Sequence, residues 1–230
     1  GPVGLIHTRL AIIDPEHGQQ PFIDEDGYVL VANGEVYNDI QVRAEVGEEV
    51  YKTGSDNESA LHLYRKYGLG FSSYLRGMYA LAIYDPVMGR LVLARDPFGI
   101  KPLYYLDTPE TFWFASEPQA FMKAGVISPV ENAIVCNQLL GLQYTTGRQT
   151  IYNEIQRLLP GEVAVVQAGG CLESVYTEQW NNQSDTGSSF DHYSALENFD
   201  YAWRKSIDLH RRSDVPYGIF LSSGTDSAAV

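Results

Sequence analysis

Residues 28–32 (Tyr-Val-Leu-Val-Ala) form an unbroken apolar run of β-favouring side chains, and Asn33-Gly34 follows at once. The run predicts a strand. Asn33-Gly34 is the pair best suited to positive φ, so the strand is expected to end there. A plain hairpin would return as a second apolar strand. Here the chain goes on through Glu35 and Tyr37 to the polar pair Asn38-Asp39, which reads as a helix start. A strand end bearing an amide side chain, a bare glycine N–H and a carboxylate gathers donors and an acceptor at one point. Asn33 and the Gly34 N–H have the makings of an oxyanion hole. A simple turn capped by Asn33 accounts for the same residues, and taken alone they favour that account.

The chain has 230 residues, enough for one large domain or two small ones, and 44% of them are apolar, enough for a sizeable core. A net charge of −13 argues against a nucleic-acid-binding surface. Cys136 and Cys171 are isolated, so neither a disulfide framework nor a zinc site is expected, and both fit a reducing cytoplasm. No metal ligands are assigned. No apolar run reaches membrane-spanning length, and the opening residues do not read as a secretory signal.

Taken in order, residues 5–13 predict a strand interrupted by Arg9, a charge that must be paired if buried or else reach solvent from an edge. Ser55-Asp56-Asn57-Glu58 reads as a capping box opening a helix over 56–67, with Leu61, Leu63 and Tyr64 as core contacts and Gly68 as its end. Asp56 then sits in the first turn, where the helix dipole favours an ionised carboxylate. Residues 78–84, 90–95, 103–106 and 112–115 predict antiparallel strands, and the loop 95–102 between them is assigned a structural role. Helices are expected over 117–124 and 131–140, with Cys136 in the core. Residues 155–166 and 172–176 predict a hairpin, and the polar run 181–189 predicts a linker. Beyond it, a helix over 191–211 carries Leu196, Phe199, Trp203 and Ile207 three or four apart. A short strand over 216–221 then leads through Ser222-Ser223-Gly224-Thr225-Asp226-Ser227 into a helix. Such a loop can hold an anion on backbone N–H groups, although it lacks the Gly-Lys-Ser/Thr end of a P-loop and also fits a serine-rich turn.

Several of these segments together carry a resemblance. His7-Thr8-Arg9-Leu10-Ala11-Ile12-Ile13-Asp14, Gln20-Pro21, Asn33-Gly34-Glu35-Val36-Tyr37-Asn38, Ser55-Asp56-Asn57-Glu58, Gly77–Asp85, the run Ala94-Arg95-Asp96-Pro97-Phe98-Gly99-Ile100-Lys101-Pro102 and Phe114-Ala115-Ser116-Glu117 occur in one order. They resemble the class II glutamine amidotransferase domain of glutamine-hydrolysing asparagine synthetases. Ser213-Asp214-Val215-Pro216-Tyr217-Gly218 and the loop at Ser222–Ser227 resemble the opening of that family's ATP-pyrophosphatase domain.

The resemblance implies an α+β fold. Residues 1–180 would form a four-layer αββα N-terminal-nucleophile hydrolase sandwich lacking its first strand, residues 181–190 a linker, and residues 191–230 the start of an α/β domain. It implies a ligase that hydrolyses L-glutamine and passes the ammonia to an acyl-adenylate made with ATP and Mg2+, L-aspartate being the default acceptor. Arg9 would take the glutamine α-carboxylate by a two-pronged contact. Asp56, with Glu35, would hold the α-ammonium. Leu10 and Ile12 would complete the pocket, and Asn33 and Gly34 would face the reacting amide. Leu221, Ser222, Ser223, Gly224, Thr225, Asp226 and Ser227 would hold ATP, with Ser223 where the family usually has glycine. The attacking cysteine at the family's amino terminus has no counterpart here, and both ends read as cuts inside a longer protein, so these 230 residues alone are expected to be inactive. From the isolated thiols, the net charge and the lack of a membrane-spanning run, a cytoplasmic protein with neither nucleic acid nor membrane as partner is expected, and a homodimer stays open. A different amide-forming ligase on the same scaffold, or a non-catalytic glutamine-binding domain, stays open.

Overall fold

The computed structural model describes residues 3–167, 170–177 and 191–230. They fall into two compact units: residues 3–9, 19–52, 56–167 and 170–177 form the first, and residues 10–18, 53–55 and 191–230 the second. The predicted linker at 181–189 lies outside the described residues.

The first unit is built from nine strands among the described residues. These are β1 (Phe22–Ile23), β2 (Val29–Val36), β3 (Gly77–Asp85), β4 (Arg90–Arg95), β5 (Tyr104–Asp107), β6 (Phe112–Ala115), β7 (Gln156–Arg157), β8 (Glu162–Gln167) and β9 (Cys171–Thr177). Six pair in the order β1-β2-β3-β4-β8-β9 and three in the order β6-β5-β7, every pair antiparallel.

Period-two alternation gives the large sheet two apolar faces. Leu30, Ala32, Leu81, Ile83, Val92 and Ala94 point to one side. There they pack with Leu61, Leu63 and Tyr64 of a helix over Glu58–Tyr67. Val31, Ala80, Ala82, Leu91 and Leu93 point to the other side, against Leu103, Leu158, Phe112 and Phe114 from around the small sheet. The far face of the small sheet buries Leu106 and Ile155 with Phe121 of a helix over Gln119–Lys123. Three apolar layers therefore separate four layers of structure in the order helix, sheet, sheet, helix, and the fold is α+β as the resemblance implies.

In chain order the helices are α1 (Asp39–Val46), α2 (Glu58–Tyr67), α3 (Gln119–Lys123), α4 (Ala133–Leu142), α5 (His192–His210) and α6 (Thr225–Ala229). α2 carries Glu58 at its start and Arg65 and Lys66 in its last turn, matching the helix dipole, and Gly68 at φ +59° ends it.

Four expectations need correction. Residues 5–13 form no strand. Their exposure alternates as in an extended chain, with Val3, Leu5, His7 and Arg9 half-buried and Gly4, Ile6, Thr8 and Leu10 exposed, but no ladder partner holds them among the described residues. Residues 216–221 likewise form no strand, and Ile219, Phe220 and Leu221 are exposed. The apolar stripe of α5 is present as spaced, yet no residue of the helix is buried. Cys136 of α4 is half-buried rather than part of the core, because only Val135 of that helix packs inward.

Candidate functional site

The strand predicted to stop at Ala32 does not stop. β2 continues through Asn33, Gly34 and Glu35 to Val36, in register with Ala80, Tyr79, Met78 and Gly77 of β3. What keeps it straight is close backbone contact. A Cβ on Gly34, whose φ is +154°, would lie 2.0 Å from the Met78 carbonyl oxygen and 2.7 Å from Tyr79 Cα. A Cβ on Gly77 would lie 2.1 Å from the Glu35 carbonyl oxygen. Both glycines are required by this contact, and Gly34 serves a ladder rather than a turn.

Because β2 stays regular, its side chains keep alternating. Asn33 and Glu35 follow Val31 onto the face turned to the second sheet, while Ala32 and Val36 face α2. Asn33 is exposed and Glu35 half-buried, so an amide and a carboxylate stand two residues apart where the apolar filling between the sheets gives out.

Asp56 meets this strand from the turn before α2. The helix begins at Glu58, two residues later than the capping-box pattern predicts, and the Glu58 carboxylate accepts the Lys52 N–H at 2.8 Å. Asp56 is buried, and its Oδ2 accepts the Val36 N–H at 2.6 Å. Asn57, also buried, donates from one amide nitrogen to the Gly34 carbonyl at 3.0 Å and to Asp56 Oδ1 at 3.3 Å. Burial pushes the Asp56 carboxyl up to about 6, the Glu35 charge adding to the effect against the Val36 bond. This differs from the expectation of a dipole-stabilised, freely ionised group: Asp56 lies before the helix and has lost its water. Tyr37, just past the strand, is pushed up to about 12 by burial and by the charges of Glu35, Asp96 and Asp56. The pocket is therefore an electronegative one whose carboxylates are poorly solvated, a setting that favours a cation.

Arg9 lies in the extended opening stretch. His7 Nε2 is 3.0 Å from the Ala32 carbonyl oxygen, so this stretch runs beside β2 one residue short of Asn33. Burial holds the His7 ring below its ordinary pKa, and the Arg9 charge lowers it further against the Ala32 bond. Arg9 Nη1 is buried. The His7–Arg9 stretch and Asp56 with Asn57 thus meet the same free edge of β2, at Ala32 and at Gly34–Val36, and a guanidinium and a carboxylate along one edge can take the two ends of a zwitterion. Leu10 and Ile12 belong to the second unit, where the Ile12 carbonyl accepts the Asp214 N–H at 3.1 Å. Asp214 Oδ2 in turn accepts the Asp14 N–H at 2.7 Å, which ties the Ile12–Asp14 segment to the Ser213-Asp214 motif.

Gln20 was not among the predicted site residues, yet it is what finishes the edge of β2. Its amide accepts the Ala32 N–H at 2.6 Å and donates to the Ala32 carbonyl at 2.9 Å, the two bonds a neighbouring strand would supply. Asp96 is buried beneath the site. Its carboxylate accepts the N–H groups of Phe98, Ile100 and Lys101, each at 3.0 Å. Arg95 spends its guanidinium on the carbonyls of Lys101, Gly99 and Leu158. The loop 95–102 is thus a self-bonded brace.

The predicted phosphate loop has a different character. Ser222 Oγ accepts the Gly224 N–H at 3.2 Å and pairs with Ser227 Oγ at 2.8 Å, while Ser227 Oγ also donates to the carbonyls of Ser222 and Gly224. Six of the residues from Leu221 to Ser227 are exposed and Ser227 is half-buried. The Gly224 amide is turned to a hydroxyl, so the donors that would cradle a phosphate are not presented together in this conformation.

Comparison with known proteins accords with this geometry. A family model for the glutamine amidotransferase domain matches residues 1–177. The chain is 35% identical to asparagine synthetase [glutamine-hydrolyzing] 1 of Bacillus subtilis, over 99% of this chain and 36% of that protein. It is 34% identical to asparagine synthetase [glutamine-hydrolyzing] 2 of Arabidopsis thaliana, over 98% of this chain and 34% of that protein. The chain thus spans about a third of the length of these relatives. A solved structure described as the allosteric regulatory enzyme of purine biosynthesis superposes with a TM-score of 0.56 at 20% identity, covering 97% of this chain and 47% of that one, a likeness of fold alone. No helix of the described residues is long and apolar enough to cross a membrane.

Proposed function

This chain belongs to the glutamine amidotransferase domain family, and on that premise we propose that it is the glutamine-binding part of a glutamine-hydrolysing, ATP-dependent asparagine synthetase. The observation that carries the reading is the junction of Val36 and Asp56, which fixes a buried carboxylate against the strand bearing Asn33 and Gly34. Glutamine enters with its α-ammonium on Asp56 and Glu35 and its α-carboxylate on the Arg9 fork. Its side-chain amide comes to Asn33 and the Gly34 N–H, where charge on the tetrahedral oxygen is held. In the complete protein a cysteine thiol would attack the amide carbon, forming a glutamyl thioester as the amide nitrogen leaves as ammonia. Water would then hydrolyse the thioester to glutamate and the free thiol.

In the same reading, ammonia is taken up by an ATP-activated carboxylate, with aspartate as acceptor. ATP would activate the carboxylate as an acyl-adenylate with loss of pyrophosphate, ammonia would then displace AMP, and Mg2+ would offset the phosphate charge. For residues 221–227 to hold the nucleotide, the Gly224 N–H must leave the Ser222 hydroxyl, since a phosphate and Oγ cannot both take it. A cytoplasmic location follows from the class of biosynthetic enzyme proposed, and a homodimer is compatible with it.

The test is glutamine binding by calorimetry in the complete protein. Arg9→Ala is expected to abolish measurable binding, because the α-carboxylate loses its charged partner in a poorly solvated pocket. Unchanged affinity would sink the assignment.

A further inference from the structure

Asn57 stands apart from the groups that the proposed reaction already uses. It is 7% exposed, so its amide is almost wholly cut off from water. Nδ2 makes two bonds, to the Gly34 carbonyl at 3.0 Å and to Asp56 Oδ1 at 3.3 Å. Both partners are acceptors, so the amide cannot be turned the other way without setting two oxygens against Oδ1. Oδ1 is buried and receives no hydrogen bond among the described residues. Leaving a buried acceptor unmet is unfavourable, and a ligand that supplies the donor removes the penalty.

We infer that Asn57 is a positioning residue of the glutamine pocket, clamping the Gly34 peptide to the Asp56 carboxylate and offering Oδ1 as one more acceptor for the substrate's α-ammonium. The inference rests on the reading of Asp56 as the ammonium partner. Two consequences come from one side chain. The Gly34 peptide, which faces the reacting amide, cannot shift without breaking the bond to Nδ2. The Asp56 carboxylate cannot be protonated on Oδ1 without losing the same donor. The titratable groups coupled to Asp56 are Glu35, whose charge adds to burial in opposing its ionisation, and Tyr37, whose hydroxyl is pushed up by burial and in turn by Glu35, Asp96 and Asp56. The Val36 N–H and the Asn57 amide favour the charged form against burial and Glu35.

The experiment is glutamine titration of the complete protein between pH 5 and 8, comparing wild type with Asn57→Leu and Asp56→Asn. Wild-type affinity is expected to fall as pH drops through about 6, where Asp56 takes up its proton. Asn57→Leu keeps the number and branching of the side-chain heavy atoms, at a larger volume, and removes both donor and acceptor. It is expected to bind glutamine roughly tenfold more weakly at neutral pH and to lose binding at a higher pH than wild type. A purely structural Asn57 would lower the melting temperature without moving that acid limb. Should the leucine variant not fold, Asn57→Asp keeps the shape and puts a like charge on Asp56, and must move the limb further upward. A folded variant with wild-type affinity and an unmoved limb overturns the role of Asn57, provided Asp56→Asn loses binding. If Asp56→Asn also binds like wild type, the glutamine reading itself falls.

Discussion

Two stretches of this chain each set polar side chains beside a glycine and differ in what they do with their polar atoms. Around Asn33–Asn57, a side chain repeatedly serves a backbone group of another segment: Asp56 takes the Val36 N–H, Asn57 takes the Gly34 carbonyl, and Gln20 takes both polar atoms of Ala32. Around Ser222–Ser227 the hydroxyls serve one another and the loop's own carbonyls, five residues apart at most. The first arrangement fixes a geometry, since a pocket cannot relax when its walls are tied across elements. The second leaves the loop self-contained and exposed. Preorganisation comes from who bonds to whom, and glycine, serine and asparagine content alone does not reveal it.

The most forceful way to break this contrast is to put the same methyl group on a glycine in each stretch. Gly34→Ala drives Cβ to 2.0 Å from the Met78 oxygen at a φ of +154°, so β2 and β3 must part. A loss of about 3 kcal/mol or more is expected by denaturant unfolding, together with loss of glutamine binding. Gly224→Ala meets only side-chain hydroxyls, Ser222 Oγ at 3.2 Å and Ser227 Oγ at 3.9 Å, with φ at −80°, and should cost less than about 1 kcal/mol. Equal costs would mean that the two glycines are interchangeable and the contrast is empty.

Next in size is the charge buried at Asp56. Its folded pKa, about 6, lies above the unfolded value of 3.8. Between these values the folded protein holds a proton that the unfolded chain has lost, so stability from this group falls as pH rises from about 4 to about 6 and stays low above. Asp56→Asn removes that burden. The variant is expected to be more stable than wild type at pH 7.5 by up to about 3 kcal/mol, less whatever Asn57 loses with its charged acceptor. The gain should vanish below pH 4, where both side chains are neutral. Glutamine binding should be gone at every pH. Thermal melts at pH 7.5 and 4 decide it, and a variant less stable at both would show that the carboxylate is not strained by its burial.

Part of this pocket was legible in the sequence. The periodicity of residues 78–84 and 90–95 predicts the two central strands, and the glycine after Tyr67 predicts the end of α2. Asn33, Gly34, Glu35 and Asp56 were named as site residues by resemblance. Their mutual contact was not readable, because a 23-residue gap in sequence carries no sign that Asn57 reaches the Gly34 carbonyl. Local chemistry also misled: Asn-Gly suggests a turn, and only the Cβ clash with β3 shows why Gly34 is needed in a straight strand. Residues 5–13 and 216–221 have strand composition without a ladder among the described residues, since pairing depends on a neighbour and composition does not supply one.

The smallest expected effect is also the sharpest test of the weaker half of the comparison. Ser223 stands where the resemblance calls for glycine, and the positive-φ residues among the described non-glycines are Asp14 and Gln143 alone, so Ser223 sits in an ordinary conformation. Ser223→Gly therefore relieves no backbone strain in the conformation seen here. It frees the unfolded chain instead and should cost about 0.4–1 kcal/mol in chemical denaturation. Glutamine affinity should be unchanged, since the Asn33–Asn57 pocket is tied by bonds of its own. Nucleotide affinity in the complete protein should rise several-fold, because removing Cβ lets the loop backbone approach a phosphate and adopt φ values that serine resists. An unchanged nucleotide affinity would mean that the loop takes phosphate through Thr225 and the serine hydroxyls, and that its closed hydroxyl network, rather than the extra Cβ, is what must open.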